Sequence, residues 1–442
     1  MRKTMQTTRI LLSVMAAVLA LSVRSSVLAE GKPNIIVILA DDYGYGDVGC
    51  YGSKRFKTPN IDALAAGGMR FTDFHSNGAV CSPTRAAFLT GRYQQRTGIT
   101  GVVTAARHRH TGLDLQEKTI AEVVKPAGYR SALFGKWHVG YAPDYNPVRQ
   151  GFDEFIGYVS GNIDYHNHLD QTGREDWWKQ DELKPEKGYS TDLITDHGVD
   201  FIKRNQDKPF LLYIAHEAPH YPYQGRDDPP HYTRQKGRSK DPVTLKVYKE
   251  MIEVMDENVG RVIQAVSDAG LKKKTFIFFF SDNGPAGLGS AGPLRGKKGQ
   301  IWEGGHRVPA IAYWPDMIKA GQVSDATAMG MDLLPTIAAL SGAALPEGVQ
   351  LDGINLLSHL TKSTPLAPRP LFWGYKKSFA IRKGDFKLIS STDFTKTSLY
   401  NLNHDLGETT NVAAQNPEIV QELLKLLKAW DKDVNKDVKK RT

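Results

Sequence analysis

Two pairs of adjacent oxygen donors, Asp41-Asp42 and Asp282-Asn283, stand directly after apolar runs in this chain of 442 residues. Together they can furnish the all-oxygen cage that calcium or magnesium prefers, with no thiol or imidazole in either pair. Taken singly, each pair better suits the cap of a turn, where Asp and Asn bond nearby backbone. His216-Glu-Ala-Pro-His220 has the spacing of H-E-x-x-H, which binds zinc when a helix sets both histidines on one face. Pro219 lies inside that pattern and an apolar run leads into it, so a strand-to-loop corner carrying two histidines is predicted instead. Gly44-Tyr-Gly46-Asp-Val-Gly49 fits G-x-G-x-x-G, the dinucleotide pattern. The helix that should open at the last glycine is missing: the chain continues through Cys50-Tyr-Gly52-Ser53 to Thr58-Pro59. Asp41 and Asp42 would also set two carboxylates beside a pyrophosphate, so dinucleotide binding is set aside. A further cluster, Asp164-Tyr165-His166-Asn167-His168 with Arg174, Trp177 and Trp178 after it, mixes polar and aromatic groups. That mixture suits sugar recognition, and it equally suits a surface loop with packing tryptophans. Trp373 and Tyr375 are placed to close the other side of such a pocket.

The elements that must position these residues read as α/β. Apolar runs at 34–39, 210–215, 275–280 and 309–314 have the length and composition of buried central strands. Helical patterns fall between them, at about 60–66, 191–204, 244–269 and 331–340. This alternation predicts a large, mixed, mostly parallel sheet sandwiched by helices. Asp41-Asp42, His216 and Asp282-Asn283 then lie at carboxyl ends of strands, where sites of such sheets gather. Beyond about Leu345 the pattern changes to Pro-punctuated segments, strands around Phe372, over 379–389 and over 399–402, and a helix ending near Trp430. A smaller C-terminal α+β subdomain with a short antiparallel sheet is expected there.

The bulk properties agree: 40% hydrophobic and 24% charged residues exclude a disordered chain and supply a sizeable core. Arg2, Lys3 and Arg9 precede an apolar run to Val23 and a Val27-Leu28-Ala29 site, the form of a secretory signal. The run is shorter than the roughly 20 residues of a spanning helix, so no stable membrane association is expected. The organisation read is therefore signal 1–29, catalytic domain 30–345, and C-terminal subdomain with a basic tail 346–442. No lipobox cysteine stands near Ala29, which points to a soluble periplasmic or extracellular protein. The net charge is +9, and the signal holds four cations and no acid, leaving about +5 on the mature chain. That excess suits a polyanionic substrate and also an ordinary lysine-rich surface; no nucleic-acid partner is indicated. Cys50 and Cys81 are the two cysteines, too few for a disulfide scaffold, although one bridge between them is open to an exported protein.

The segment Cys81-Ser82-Pro83-Thr84-Arg85 followed by Leu89-Thr90-Gly91-Arg92 resembles the signature of the type I sulfatases. In that family, on an alkaline-phosphatase-like fold, the cysteine of C-x-P-x-R is oxidised to formylglycine by a formylglycine-generating enzyme, and L-T-G-R assists its recognition. The resemblance extends from Lys32-Pro-Asn-Ile-Ile to Leu399-Tyr-Asn-Leu-Asn-His-Asp-Leu-Gly-Glu-Thr-Thr-Asn-Val-Ala. It implies that Asp41, Asp42, Asp282 and Asn283, with position 81, hold calcium or magnesium. Gly135-Lys136-Trp137-His138 is similar to the family's G-K-W-H element, and His220 to the histidine of its H-x-P-H-like loop. Lys298 is similar to the lysine before E-G-G. Lys297 is adjacent, and spacing to Glu303-Gly304-Gly305 favours Lys298.

The chemistry so implied is sulfate-ester hydrolysis. Hydrated formylglycine at 81, oriented by the cation and Arg85, attacks sulfur while Lys136 and Lys298 hold the sulfate oxygens. His220, or Lys298 beside it, protonates the departing alkoxide. His138 then takes a proton from the second hydroxyl, and sulfate leaves by elimination from the sulfated enzyme. His166, His168, Arg174, Trp177 and His216 are candidate substrate contacts, and the expected substrate is a sulfated polysaccharide or glycosaminoglycan-type sugar. Small phenolic sulfates, phosphoesters on the same fold, and non-catalytic glycan binding are the competing readings. With Cys81 modified, Cys50 is predicted to be a buried free thiol.

Overall fold

The structure, a computed structural model, describes residues 31–235, 237 and 243–436. The segment read as an export signal, 1–29, lies outside the described residues, as does the end of the basic tail. Among the described residues, twelve strands belong to the larger part of the chain: β1 Asn34–Ala40, β2 Met69–Phe71, β3 Phe74–His75, β4 Arg130–Lys136, β5 Glu154–Tyr158, β6 Trp178–Lys179, β7 Glu182–Leu183, β8 Phe210–Ala215, β9 Thr275–Ser281, β10 Ala310–Tyr313, β11 Gln322–Ser324 and β12 Ala328–Met329. Ten of them form one sheet in the order β11-β2-β10-β9-β1-β8-β4-β5-β6-β7. The central strands β9, β1, β8, β4 and β5 are parallel, with Val37 beside Tyr213 on one side and Phe278 on the other. β10 runs antiparallel to β9 and β2.

Every residue of β1, β8 and β9 is buried, so their side chains alternate between two covered faces. Ile35, Val37, Leu39, Tyr213, Phe278 and Phe280 point to one layer, which includes helices α2 Cys81–Thr90, α3 Ile120–Val124 and α6 Leu333–Ser341. Ile36, Ile38, Leu212, Ile214, Ile277 and Phe279 point to the other, covered by α1 Pro59–Gly67, α4 Ser190–Arg204 and α5 Leu245–Asp268. The mostly parallel sheet between helices is thus the architecture the periodicity predicts. β4 and β5 are additions to the reading, because only three apolar residues in Ser131-Ala-Leu-Phe-Gly135 and a glycine in each strand blur the signal.

The C-terminal part is a four-stranded antiparallel sheet, β13 Leu371–Tyr375, β14 Ser378–Lys383, β15 Phe386–Ser391 and β16 Thr397–Asn401, packed under α7 Pro417–Asn435. The stretch 379–389, read as one strand, is a hairpin turned at Gly384-Asp385, where Gly384 takes φ +58°. The helix runs five residues past Trp430, since Val434 continues its buried stripe. Leu388, Leu399, Leu427 and Trp430 share a core with Tyr93, Met329 and Met331 of the larger part. No helix among the described residues is long and apolar enough to cross a membrane.

Candidate active site

The carboxyl ends of β1 and β9 lie side by side and bring the two oxygen-donor pairs together. Asp282 N–H donates to Ala40 O at 3.1 Å, Asp42 N–H to Asp282 Oδ1 at 3.3 Å, and Tyr43 N–H to Ser281 Oγ at 3.1 Å. Asn283 Nδ2 donates to Asp42 Oδ1 at 2.8 Å. All four donor residues are buried, and Asp41 Oδ1, Asp42 Oδ2 and Asn283 Oδ1 accept no hydrogen bond. An unsatisfied buried acceptor costs about 1–3 kcal/mol. Three at one spot fit a hard divalent cation and do not fit a turn cap, whose oxygens would be satisfied. Asp41, Cys81 and Asp282 offer ligand atoms within 4.8 Å of one another, and so do Asp41, Asp42 and His220.

Cys81 is the first residue of α2, so the partial positive charge of the helix start faces the acidic pairs. Pro83 sits in the first turn, where no N–H is required, and Arg85 lies one turn beyond Cys81 on the same face. The Arg85 guanidinium reaches Asp282 Oδ2 from Nε at 3.1 Å and from Nη2 at 2.9 Å, and Lys136 O from Nη1 at 3.0 Å. Lys136, the last residue of β4, pairs with Asp41, and Lys298 Nζ stands 2.6 Å from Asp42 Oδ1. Lys297 is exposed. Gly135 precedes Lys136 at φ +105°, and a Cβ there would meet Ala215 O at 2.1 Å; glycine is needed to lay β4 against β8 and aim Lys136.

Charge and burial compete throughout. Burial opposes ionisation of Asp41, yet Lys136, His220, Arg85 and Lys298 together hold its carboxyl below the usual range. Burial and the neighbouring Asp41 push Asp282 the other way. Burial of Lys136 and Lys298 is outweighed, chiefly by Asp41 for the first and Asp42 for the second, and both stay ammonium ions. Burial raises the Cys81 thiol although Lys136 and Lys298 lie beside it.

His138 and Asp42 both adopt left-handed backbone, at φ +61° and +62°, a strain that clusters at functional sites. Burial, Lys136 and Arg85 keep the His138 ring neutral. Its Nε2 is 2.9 Å from Val103 O, which can only accept, so Nε2 carries the hydrogen and Nδ1, buried without a partner, offers a lone pair. His220 donates from Nδ1 to Tyr221 O at 2.5 Å and turns Nε2 toward Asp42 Oδ2 at 3.7 Å. Burial and Lys298 bring its pKa down to about 4.

A cleft of about 210 Å³ opens onto Asp42, Cys81, His138, His220 and Lys298. Its outer wall adds Thr104, Asn162, Gln171 and Tyr221, all uncharged, which no motif in the sequence distinguished. A depression of about 770 Å³ between Arg130, Glu154, His197 and Arg204 lies elsewhere, and its charges pair with one another: Arg130 and Arg204 both bind Glu154.

The polar and aromatic insertion is placed differently from the pocket wall that was expected. His168 and Trp177 are buried and stacked 4.4 Å apart; His168 Nε2 bonds Gly188 O, and Trp177 Nε1 donates to Glu186. His166 is bonded to Gly225 O, Arg174 is exposed, and His216 is buried with neither ring nitrogen bonded. None of the five lines the cleft; the insertion reaches it through Asn162 and Gln171. The tryptophan face is used internally because Asp164 folds the loop back, accepting from the His166, Asn167 and Tyr232 amides. Trp373 is buried against His306, whereas Tyr375 borders Gly299 beside the cleft.

The segment 216–220 is not helical and leaves β8 as a corner, so it has no zincin geometry. Gly44 and Gly46 open no α-helix, only a 3-10 turn over Tyr45–Asp47, and they let the chain pack against Ser290 and Gly292. Cys50 and Cys81 form no disulfide; Cys50 is half-buried where full burial was expected, and burial and Asp62 raise its thiol to about 12.

The chain as a whole is similar to known proteins. The sulfatase family model matches residues 33–343, and a model described as N-sulphoglucosamine sulphohydrolase, C-terminal, matches 297–433. Human arylsulfatase A is 35% identical over 93% of this chain and 90% of its own length. Canine N-acetylgalactosamine-6-sulfatase is 37% identical over 78% of this chain and 69% of its own. Among solved structures, Ps i-CgsB in complex with k-i-k-neocarrahexaose superposes with TM-score 0.81 at 31% identity, over 90% of this chain and 92% of that one. PsFucS1 sulfatase from Pseudoalteromonas sp. does so with TM-score 0.77 at 26% identity, over 95% of each. The chain belongs to the sulfatase family, on the alkaline-phosphatase-like fold, and is a sulfuric ester hydrolase.

Proposed function

We propose that this sulfatase is exported, carries formylglycine at position 81, and removes sulfate esters from a sulfated saccharide. The observation that carries the reading is the position of Cys81, buried at the start of α2 within ligand distance of Asp41 and Asp282 and beside an unsatisfied oxygen cage. Those surroundings, hard oxygen donors with cationic side chains, suit an oxygen nucleophile beside a cation. Hydrated formylglycine at 81 supplies that nucleophile, and calcium or magnesium, held by Asp41, Asp42, Asp282, Asn283 and residue 81, supplies positive charge at the sulfate.

The chain's own groups do the rest. Arg85 fixes Asp282 and the C-terminal end of β4, and so orients residue 81 within its helix. Lys136 and Lys298 hold sulfate oxygens as point charges. The neutral His138 receives a proton at Nδ1. At the opposite wall His220 Nε2, which gains proton affinity from an anionic ester nearby, and Lys298 deliver a proton to the leaving oxygen.

Substrate class follows from the cleft. At about 210 Å³ it is smaller than the roughly 300–1,000 Å³ that encloses drug-sized ligands, so it holds little beyond the sulfate and the ring that bears it. Its outer wall of Thr104, Asn162, Gln171 and Tyr221 offers hydrogen bonds to hydroxyls and no further cation. A neutral sugar ring bearing one ester fits that chemistry, in line with the saccharide named for Ps i-CgsB and the sugar in the name of the canine relative. We read residues 1–29 as the export signal, 30–345 as the catalytic unit and 346–442 as the C-terminal subdomain, with a formylglycine-generating enzyme as maturation partner.

The test is a mass measurement on the peptide containing residue 81, from protein exported by its native host, together with sulfate release from a panel of sulfated oligosaccharides. Formylglycine and turnover of sugar esters are expected. Unmodified cysteine in active protein would overturn the nucleophile, and turnover confined to phenolic sulfates would overturn the substrate class.

A further inference from the structure

A second buried charge cluster lies behind the site, where the C-terminal sheet meets the larger part. Lys387 of β15, with no exposed surface, places Nζ 2.9 Å from Glu303 Oε1, 3.0 Å from Glu408 Oε1 and 3.1 Å from His306 Nε2. His75, Glu303 and His306 are close enough to hold a metal ion, but the ammonium already stands against two of them, and Arg307 and Arg382 approach Glu303 at 3.3 and 3.8 Å. The cluster is therefore a filled electrostatic lock.

What it locks is the turn that bears Lys298. Both ends of the segment 295–305 are tied to Glu408: Arg295 Nη1 donates to Glu408 O at 2.5 Å, and Glu303 N–H donates to Glu408 Oε2 at 2.7 Å. The ends are tied to each other as well, Gly304 N–H donating to Arg295 O at 2.7 Å. The middle touches the site on two sides. Lys298 N–H donates to Pro285 O at 3.0 Å and Gly299 N–H to Ala79 O at 2.7 Å, two residues before Cys81. Gly284, next to Asn283, donates to Gly305 O at 2.9 Å, and a Cβ on Gly284 would meet Gly304 O at 1.8 Å. A shift of Glu303 or Glu408 is thus passed on through short, close-packed backbone.

We propose that Lys387 is a positioning residue for sulfate-ester hydrolysis: by holding Glu303 and Glu408 it fixes the 295–305 turn and thereby sets Lys298 over the cleft. The proposal rests on Lys298 being a sulfate-binding group, as read above. Lys387 touches no substrate, so its loss acts only through the turn.

The experiment is a double-variant cycle on the full-length matured enzyme, with para-nitrophenyl sulfate as probe: Lys387→Met, Lys298→Met and the two combined, with Lys383→Met as control. Lys383 is an exposed residue of the neighbouring strand paired with Glu422, and its variant should turn over normally. Lys387→Met should lower kcat/KM at least tenfold, and the combined variant should fall within about twofold of Lys298→Met alone, because residues acting as one unit are not additive. If Lys387→Met does not fold, Glu408→Gln takes its place in the cycle under the same criteria. Wild-type turnover in Lys387→Met, or a combined loss equal to the product of the single losses, overturns the positioning role. Full activity in Lys298→Met overturns the reading of Lys298 itself, and is a separate result.

Discussion

At the scale of single residues, the site is decided by which of several similar groups points inward. Lys297 and Lys298 are indistinguishable as chemistry, and spacing to Glu303-Gly304-Gly305 only favoured the second. In the turn they face opposite ways, Lys298 toward Asp42 at 2.6 Å and Lys297 toward solvent. Removing one preorganised charge from a site of this kind costs about 10²–10³ in rate. Lys298→Ala should show that loss in kcat/KM, while Lys297→Ala stays within about twofold; initial rates of the two purified variants check it, and equal losses would refute the assignment. Position 81 answers to the same logic. Cys81→Ser keeps the fold, since serine fits the same buried volume, but it offers one hydroxyl and no geminal pair. Its kcat should drop by about 10³ or more, measured over many turnovers.

At the scale of elements, the strand ends were legible where the strand itself was. The runs ending at Leu39, Ala215 and Phe280 announced themselves by their apolar composition, and with them Asp41, Asp42, His216, Asp282 and Asn283. β4 escaped because its ends are Arg130 and Lys136 and its penultimate residue is glycine, so Lys136 was found by motif and not by periodicity. The insertion at 159–178 escaped for another reason: composition shows that polar and aromatic groups are present, but only the folded loop shows that His168 and Trp177 spend their faces on each other. Two outcomes belong to this scale. Gly135→Ala puts a methyl 2.1 Å from Ala215 O at a φ that L residues avoid, so it should cost about 2 kcal/mol or more and displace Lys136. A lowered thermal midpoint together with lowered kcat checks this, whereas an unchanged midpoint would contradict the β4–β8 approach. Chelation should act at the ends of β1 and β9. If the three orphan oxygens of Asp41, Asp42 and Asn283 hold a cation, calcium at a hundredfold excess over its Kd stabilises by about 2.7 kcal/mol. EDTA should remove that increment, calcium should restore it, and Asp282→Asn should weaken the response. A midpoint indifferent to both additions would leave those oxygens unexplained.

At the scale of the whole molecule, the C-terminal sheet is joined to the larger part by a chain of buried polar contacts through two histidines. Lys387 Nζ lies 3.1 Å from His306 Nε2, which also stands 3.2 Å from Ile301 O; His306 Nδ1 and His75 Nδ1 are 3.0 Å apart, and His75 Nε2 lies 3.0 Å from Asp73 Oδ1 and 3.3 Å from Arg382 Nη1. The 3.0 Å between the two facing Nδ1 atoms leaves room for one hydrogen, so the two rings cannot both be imidazolium in this contact. Burial accordingly lowers the affinity of both rings for protons, more than Glu303 and Asp73 raise it in His75 and with Lys387 adding to the effect in His306. The sign for stability follows. A histidine whose folded pKa is depressed stays neutral in the fold, while the unfolded chain takes up a proton near pH 6.5, so stability is lost as pH falls below about 6.5. The limiting slope is about 1.4 kcal/mol per pH unit for each ring. Asp47 and Asp176, raised to about 6 by burial, act in the opposite sense over pH 6 to 4, so the wild-type profile alone does not isolate the chain. The difference between two proteins does. His306→Gln keeps a donor and an acceptor between Lys387 and His75 but cannot titrate, so it should be the less stable protein at pH 7.5 and should close the gap as pH falls from 6.5 to 5. Thermal unfolding of both proteins across that range reads the gap, and one that stays constant or widens on acidification would mean that His306 is already charged in the fold.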